Sequence, residues 1–448
     1  MKYAIVTFGC RVNQADSLHL EEQLRARGAE PANTESADLV IVNTCSVTGT
    51  ADQGARQTIR RIARENPSAK IVATGCYATR RADDMAALPN VVRVVRNDEK
   101  LALVDTLEQT TALRFGGGDG PCGAAIVPGM AGRTAFTLRV QTGCEERCSY
   151  CIIPTTRGAG RSLPVEMALR EVQRIAAAGF KEIALTGVHL GSYGRDLSPR
   201  SSLLELLAAL EALPVDVTFR MSSLEPMDCT PEIADLVVSS RGRFAPHFHL
   251  PLQHASDRML AAMRRPYKLA DYRRLVDSIV ERLPYASIGS DMIVGFPGET
   301  DEDAAANVDY LPTSPLTHLH VFPYSDREGT EATALGGKVD GPTIRARGTR
   351  LREIGTALTK RFHQSQVGTE HSALTLEDGT LVVTDNYLKL RIPPGLSRNE
   401  RVMVKLITPA VASVVALGVG RCGGGSSLRR APSPAPGVGQ ASRSASSL

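Results

Sequence analysis

The chain has 448 residues, 42% of them apolar and 22% charged, with a net charge of +4. That balance excludes a mainly disordered, collagen-like or fibrous chain, and the length suggests about three domains of roughly 150 residues each. Trp is absent and aromatics are only 4%, so large platforms for stacking bases are scarce, while the mild basic excess permits a polyanionic partner without requiring one.

Short β-branched runs alternate with helical patterns at the start. Tyr3–Thr7 ends at Gly9-Cys10, Leu39–Val42 ends at Asn43-Thr44-Cys45, and Lys70–Ala73 ends at Gly75-Cys76. Helical stretches at Asp16–Arg27 and Gln53–Glu65 lie between them, so an open parallel sheet with covering helices is expected. The carboxyl ends of such a sheet face one edge, where ligands bind, and this topology gathers Cys10, Cys45 and Cys76 on one rim. The Gly/Pro-rich piece Phe115–Gly132 reads as a linker, and Cys122 within it as a plain thiol.

A second βα series begins with a strand at Ala135–Val140, which leads into Cys144, Cys148 and Cys151. Pro164 starts a helix with an apolar face at Leu169, Val172 and Ile175, and Gly179 stops it. A strand at Glu182–Thr186 follows, then a capping box of Ser202 and Glu205 before a Leu-rich helix, then a strand at Val215–Met221. Pro231 opens another helix and Phe248-His249-Leu250 another strand. Leu269, Tyr272, Leu275, Val276, Ile279 and Leu283 share a helix face, and strands are expected at Ile288–Val294 and His318–Phe322. Five or six such units in about 200 residues point to a barrel or partial barrel. The helix after Glu299-Thr300 should be short or loosely packed, with Ala304-Ala305-Ala306 and then Pro312 and Pro315 in it.

The stretch Thr343–Arg361 carries Arg345, Arg347, Arg350, Arg352, Lys360 and Arg361, either a solvated helix face or a surface that tracks phosphates. Ser372–Leu376, Leu381–Thr384, Tyr387–Ile392 and Arg401–Ile407 alternate in the strand period, with a hairpin turn at Asp378-Gly379, and form a small all-β module. The tail from Gly423 lacks apolar periodicity and is expected to be disordered. The fold class is therefore α/β. An N-terminal open parallel-sheet domain covers 1–114, a linker 115–132, a central (β/α) partial barrel 133–362, a small C-terminal all-β barrel 363–422 and the tail 423–448.

Nine cysteines, clustered by motif, do not read as a disulfide scaffold. The start MKYAIVTFGC has no signal-peptide layout, and Leu406–Gly420, interrupted by Pro409, is too short for a membrane helix of about 20 residues. A cytoplasmic protein with no membrane or DNA partner is expected. Cys144-Glu145-Glu146-Arg147-Cys148-Ser149-Tyr150-Cys151 carries the strongest chemical signal. A structural zinc site would close with a fourth Cys or His at a matched spacing, but the next cysteine is Cys229. Three thiolates suit a 4Fe–4S cluster with one iron free for a non-protein ligand. The pairs His247/His249 and His318/His320 each share a strand face, where lining a barrel weighs more than binding a metal. Gly187, Gly191 and Gly194 match neither a Rossmann nor a P-loop spacing, and no G-x-S-x-G elbow is present.

The C-x₃-C-x₂-C run with an aromatic before the last Cys resembles the radical S-adenosylmethionine superfamily. The resemblance implies that the free iron chelates S-adenosylmethionine and that one electron cleaves it to a 5′-deoxyadenosyl radical, so the substrate carries an unactivated C–H bond. Thr7–Asn13, Asn43–Thr48, Thr74–Ala78, Cys151–Pro154 with Arg157-Gly158, Leu185–His189, Tyr193-Gly194 and Ser290–Thr300 resemble the methylthiotransferases within that superfamily. The module after residue 363, with Thr384–Lys389, resembles their RNA-binding TRAM domain. The likeness covers nearly all of residues 1–420 and implies a second 4Fe–4S cluster, on Cys10, Cys45 and Cys76, that supplies the sulfur.

Among the family's branches, the stretches GCRVN, NTCSVT and LTGVHLGSYG are most similar to the one acting on threonylcarbamoyladenosine at position 37 of tRNA. The alternatives are isopentenyladenosine in tRNA, an aspartate of a ribosomal protein, and a non-catalytic RNA-binding iron–sulfur protein. The resemblance further implies that Tyr150, Gly187 and Gly295 lie near S-adenosylmethionine, that Arg345, Arg347, Arg350 and Lys389 meet the tRNA near its anticodon loop, and that a flavodoxin or ferredoxin donates the electron.

Overall fold

The computed structural model describes residues 1–111, 126–129 and 133–417. Cys122 and most of the expected linker, as well as the tail from Gly423, lie outside the described residues. Strands β1 (Lys2–Thr7), β2 (Glu30–Pro31), β3 (Leu39–Thr44), β4 (Lys70–Gly75) and β5 (Val91–Val95) form one parallel sheet in the order β2-β1-β3-β4-β5. Every residue of β3 is buried, as a near-continuous apolar run in the middle of a parallel sheet requires. Helix Arg11–Ala26 presses Leu20 and Leu24 onto Tyr3, Leu39, Ile41 and Val72. Helix Gly49–Glu65 covers the other face with Ala55, Ile59 and Ile62. Both helices start about one turn before the apolar periodicity begins; Thr48 caps the second, its Oγ1 accepting from the Ala51 amide at 3.2 Å, whereas Cys10 holds the N-cap position of the first with no side-chain cap bond.

Next come β6 (Phe136–Arg139), β7 (Gln141–Thr142), β8 (Arg161–Ser162), β9 (Glu182–Thr186), β10 (Thr218–Met221), β11 (His247–His249), β12 (Ser287–Val294) and β13 (His318–Pro323). The parallel sheets β10-β9-β6 and β11-β12-β13 are joined by bridges at Phe219↔Phe244 and Ser223↔His249, which makes an open, partial barrel. The antiparallel pair β7-β8 frames the loop that carries Cys144, Cys148 and Cys151. Alternation along the strands sorts the side chains. Leu138, Ile183, Leu185, Phe219, Ile288 and Met292 join the helices in one apolar core, while Glu182, Arg220, His247, His249, Asp291 and His320 take the opposite, concave face.

The capping box is present: Ser202 Oγ accepts from the Glu205 amide at 3.1 Å, and Glu205 Oε2 accepts from the Ser202 amide at 3.2 Å. The helix after Thr300 runs Asp301–Tyr310 and ends in a 3₁₀ turn at Leu311–Thr313. Its buried face is polar, which explains why it needs no bulky apolar stripe. Asp303 accepts from Ser256 Oγ at 2.6 Å, and Asn307 Nδ2 lies 3.0 Å from His254 Nε2.

A single helix, Gly341–Ser365, leads to β14 (Glu370–Leu376), β15 (Leu381–Thr384), β16 (Lys389–Arg391), β17 (Arg401–Thr408) and β18 (Val411–Leu417). These close into a barrel in the order β14-β15-β16-β18-β17. Three expected strands are trimmed. Ala135 and Val140 fall outside β6, Val215–Val217 precedes β10, and β16 starts only at Lys389. The last has a clear cause: the Thr384 amide bonds the Leu388 carbonyl at 2.9 Å and Tyr387 adopts φ +73°, so Thr384–Leu388 is a tight loop. Strand β18, unread in the sequence, supplies the closing pairings with β17 and β16. Among the described residues no helix is long and apolar enough to cross a membrane.

Candidate functional site

Cys144, Cys148 and Cys151 line one cavity of about 440 Å³, together with Pro154, Gly158, Arg264 and Glu331. The loop is held from several sides. The Cys144 amide donates to the Gly158 carbonyl at 3.0 Å, the Cys151 amide to the Cys148 carbonyl at 3.1 Å, and Ser149 Oγ to the Ala262 carbonyl at 2.8 Å. Two cationic side chains face the sulfurs: Arg265 Nη1 donates to Cys148 Sγ at 3.2 Å, and His189 Nδ1 lies 3.7 Å from Cys144 Sγ. Burial opposes a charge on His189, but Asp228, 2.6 Å from its Nε2, and Cys144 push it up to about 10. Burial pushes the Cys151 thiol up to about 12. Such a sulfur is a neutral thiol at pH 7 unless a metal takes the proton's place, and a coordinating metal deprotonates it outright. The fourth candidate, Cys229, is buried in the apolar core and leaves the donor set at three. The donor set therefore fits a cluster with one iron open.

Cys10, Cys45 and Cys76 follow the adjacent strands β1, β3 and β4 at the carboxyl edge of the N-terminal sheet. Gly9 makes the close approach, with φ +89°; a Cβ there would sit 2.6 Å from Cys45 Sγ. Cys10 is exposed, whereas Cys45 and Cys76 are buried. Burial, reinforced by Cys10 and Cys76, pushes Cys45 up to about 11. Asn97 Nδ2 donates both to Cys76 Sγ at 3.6 Å and to the Thr156 carbonyl at 2.9 Å, so the rim lies directly against the segment that follows Cys151. Asp52 Oδ1, Asn97 Oδ1, Arg157 Nε and Arg327 Nε are buried here without a hydrogen-bond partner. Three sulfurs amid unsatisfied polar atoms fit a second inorganic group.

The two mounts share a buried ionic junction. Asp16 binds Lys100 at 3.0 Å, Arg157 at 3.1 Å, and Arg139. Burial alone would raise its carboxyl, but the three cations hold it well below the usual carboxylate range. Arg157 also donates to Asn13 Oδ1 at 2.5 Å. Asp52 bonds Arg80 at 2.5 Å and Arg327 at 2.7 Å, which fastens the loop after β13 to the same rim. Asn13 and Arg157 sit inside motifs legible in the sequence. Asp16, Lys100, Asp52 and Arg327 had no local signal, because their partners are distant along the chain.

The remaining expected residues divide. Tyr150 packs beside Met259, Met263, Ile293 and Phe296. Gly187 packs on Gln141, where a Cβ would come within 3.0 Å of Oε1. Gly295 has φ +77°, and the space a Cβ would take is filled by Ile344; its amide donates to Glu299, so the chain's own fold accounts for this glycine. Of the basic helix, Arg345, Arg352 and Lys360 are exposed, and Arg350 pairs with Glu353 at 3.3 Å. Arg347 is taken by Asp301 at 2.7 Å and by the Glu299 carbonyl at 3.2 Å, so its guanidinium is not free for a phosphate. Arg361 is spent on the carbonyls of Pro312, Ser314 and Leu316. Arg352, Lys360 and His363 line a groove of about 590 Å³ beside Pro409 and Ala410 of the C-terminal barrel, and Lys389 is exposed on β16.

Residues 2–96 match the uncharacterized protein family UPF0004, and residues 138–311 match the radical SAM superfamily. The chain is 36% identical over 407 residues to the threonylcarbamoyladenosine tRNA methylthiotransferase MtaB of Aquifex aeolicus, covering 87% of this chain and 96% of that protein. It is 33% identical to the MtaB of Bacillus subtilis, with 86% and 89% covered. Among solved structures, the radical S-adenosylmethionine methyltransferase TsrM of Kitasatospora setae, with cobalamin and a [4Fe-4S] cluster bound, superposes with a TM-score of 0.54 at 16% identity, over 74% of this chain and 76% of that one. That likeness concerns the fold alone.

Proposed function

The chain belongs to the radical S-adenosylmethionine methylthiotransferases, in the MtaB branch, and from that premise we propose that it converts N6-threonylcarbamoyladenosine at position 37 of tRNA to its 2-methylthio derivative. The observation that carries the reading is the pair of three-cysteine mounts joined through Asp16 and Arg157. Cys144, Cys148 and Cys151 would hold one 4Fe–4S cluster, and Cys10, Cys45 and Cys76 a second. Bound there with S-adenosylmethionine, these groups supply radical chemistry and the methylthio sulfur.

The protein's own part is placement and charge. Arg265 and His189 offset the negative charge of the loop thiolates. The Asp16 junction holds the two mounts in register and shuts water out between them. Arg345, Arg350, Arg352, Lys360 and Lys389 would track tRNA phosphates along the helix and the C-terminal barrel toward the anticodon loop. Arg347, mostly buried and held by Asp301 and the Glu299 carbonyl, is left out of that surface, whereas the Arg350–Glu353 pair is open to solvent and can give way to a phosphate. A flavodoxin or ferredoxin would deliver the electron in the cytoplasm. Mass spectrometry of tRNA nucleosides from a deletion strain tests the reading. Loss of the methylthio group only from threonylcarbamoyladenosine is expected; an unchanged tRNA profile would reject it and point to a ribosomal-protein substrate.

A further inference from the structure

The concave face of the partial barrel carries more basic side chains than acidic ones. On β11, β12 and β13, His247, His249, His318 and His320 surround Asp291. Gly289 leaves the room they need, since a Cβ there would lie 2.0 Å from His318 Nε2. The rings of His249 and His320 are 5.2 Å apart, and those of His247 and His318 are 5.9 Å apart. Asp291 Oδ1 is already shared between His249 Nε2 at 2.9 Å and His320 Nδ1 at 3.1 Å. Glu182, the next carboxylate on this face, is taken by Arg220 at 3.0 Å.

Two other parts of the chain reach the same place. Tyr387, on the tight loop of the C-terminal barrel, lays its ring 4.4 Å from that of His247 and under the Arg220 guanidinium at 4.9 Å. Arg11, the residue after Cys10, donates from Nη2 to Tyr387 Oη at 3.0 Å. Among the described residues Arg11 forms no ion pair; its one side-chain partner is Tyr387. His247, only 4% exposed, has a buried Nδ1 with no partner. It stays neutral, because burial and the charges of Arg220, His318 and Arg11 all disfavour protonation. The half-buried Arg11 guanidinium, the Tyr387 phenol and the unsatisfied His247 nitrogen, assembled from three regions of the chain, can together serve an anion that bears hydrogen-bond acceptors.

We propose that Arg11, with Tyr387 and His247, forms a subsite for the carboxylate borne by the N6 substituent of the substrate adenine. The inference rests on the threonylcarbamoyl reading above and deepens it. Arg11 is covalently next to Cys10, so a carboxylate held there is anchored beside the rim that would supply the sulfur. A prenyl group in its place would cover the half-buried guanidinium and strip its water without offering an acceptor, a penalty rather than a mere loss of contact. The subsite thus selects by charge.

The test uses the reconstituted full-length protein and two anticodon stem-loops, one carrying threonylcarbamoyladenosine and one its methyl ester, which is uncharged at the same position. Wild type should bind the acid more tightly than the ester. Arg11→Gln should weaken binding of the acid about tenfold or more, as loss of a charged hydrogen bond does, and leave the ester unchanged; Arg11→Lys should restore part of the preference. Tyr387→Phe, which removes only a hydroxyl, should reduce the same preference to a smaller degree, and equal iron content in all variants would exclude misfolding. Equal weakening on both loops would assign Arg11 to a backbone phosphate and overturn the subsite, as would no weakening on either. A wild-type protein that binds the acid no better than a loop with unmodified adenosine would overturn the substrate reading itself.

Discussion

The two cysteine mounts are built in opposite ways. Cys144, Cys148 and Cys151 lie within eight residues on one loop, positioned by local hydrogen bonds and the β7-β8 pair. Cys10, Cys45 and Cys76 come from three strands and exist as a set only once β1, β3 and β4 have paired. The loop mount opens onto a cavity of about 440 Å³, whereas the rim mount is locked against the barrel by the Asp16 and Asp52 ion networks. A contiguous mount leaves room for an external ligand. A mount made by the sheet ties its geometry to the integrity of the whole domain.

The largest expected effect separates the chemistry of the two mounts. Cys148→Ala should abolish 5′-deoxyadenosine formation from S-adenosylmethionine in reduced protein. Cys45→Ala should leave that cleavage intact and stop sulfur insertion. Equal cleavage by both variants, read by chromatography of anaerobic reactions, would erase the division of labour.

Next is stability at the rim. Asp16→Asn would leave Lys100 and Arg157 buried without their carboxylate, at a cost of about 3–5 kcal/mol, measured by denaturant unfolding of the protein. The sign with pH follows from the lowered carboxyl. The stabilisation is present above the unfolded-state value of about 3.9 and fades as pH falls below it, so the wild type should lose more stability in acid than the Asn variant does.

The smallest effect sharpens the loop side. Arg265→Gln removes a charged donor from Cys148 Sγ. Hydrogen bonds to cluster sulfurs favour the reduced state, so the midpoint potential should fall in a redox titration followed by electron paramagnetic resonance. Arg265 also pairs with Glu225 and donates to Tyr267 Oη at 3.0 Å, and an unchanged potential would mean that it serves those partners and not the sulfur.

Much of the fold is legible in the sequence. The βα alternation, the capping box at Ser202 and the eight-residue cysteine run are local patterns, and local patterns survive in one dimension. Strand β18 escaped because Val411–Leu417 reads as a small-residue run with weak alternation and is held mainly by pairing with β17. Arg347 looked like its basic neighbours, and only the turn at Glu299–Asp301 reveals that it is consumed.

Residue order by itself determined which thiols could act together on the loop, where the helices after Pro164 and Ser202 and at Pro231 begin, and that three strands would each end beside a cysteine. Tertiary structure alone decided which charges are spent. Asp16 meets Lys100, Arg139 and Arg157, and Arg11 meets Tyr387, across sequence separations that no periodicity encodes. The reason is physical: the energy of a buried charge depends on what surrounds it in space, and burial brings together groups that the chain itself holds far apart.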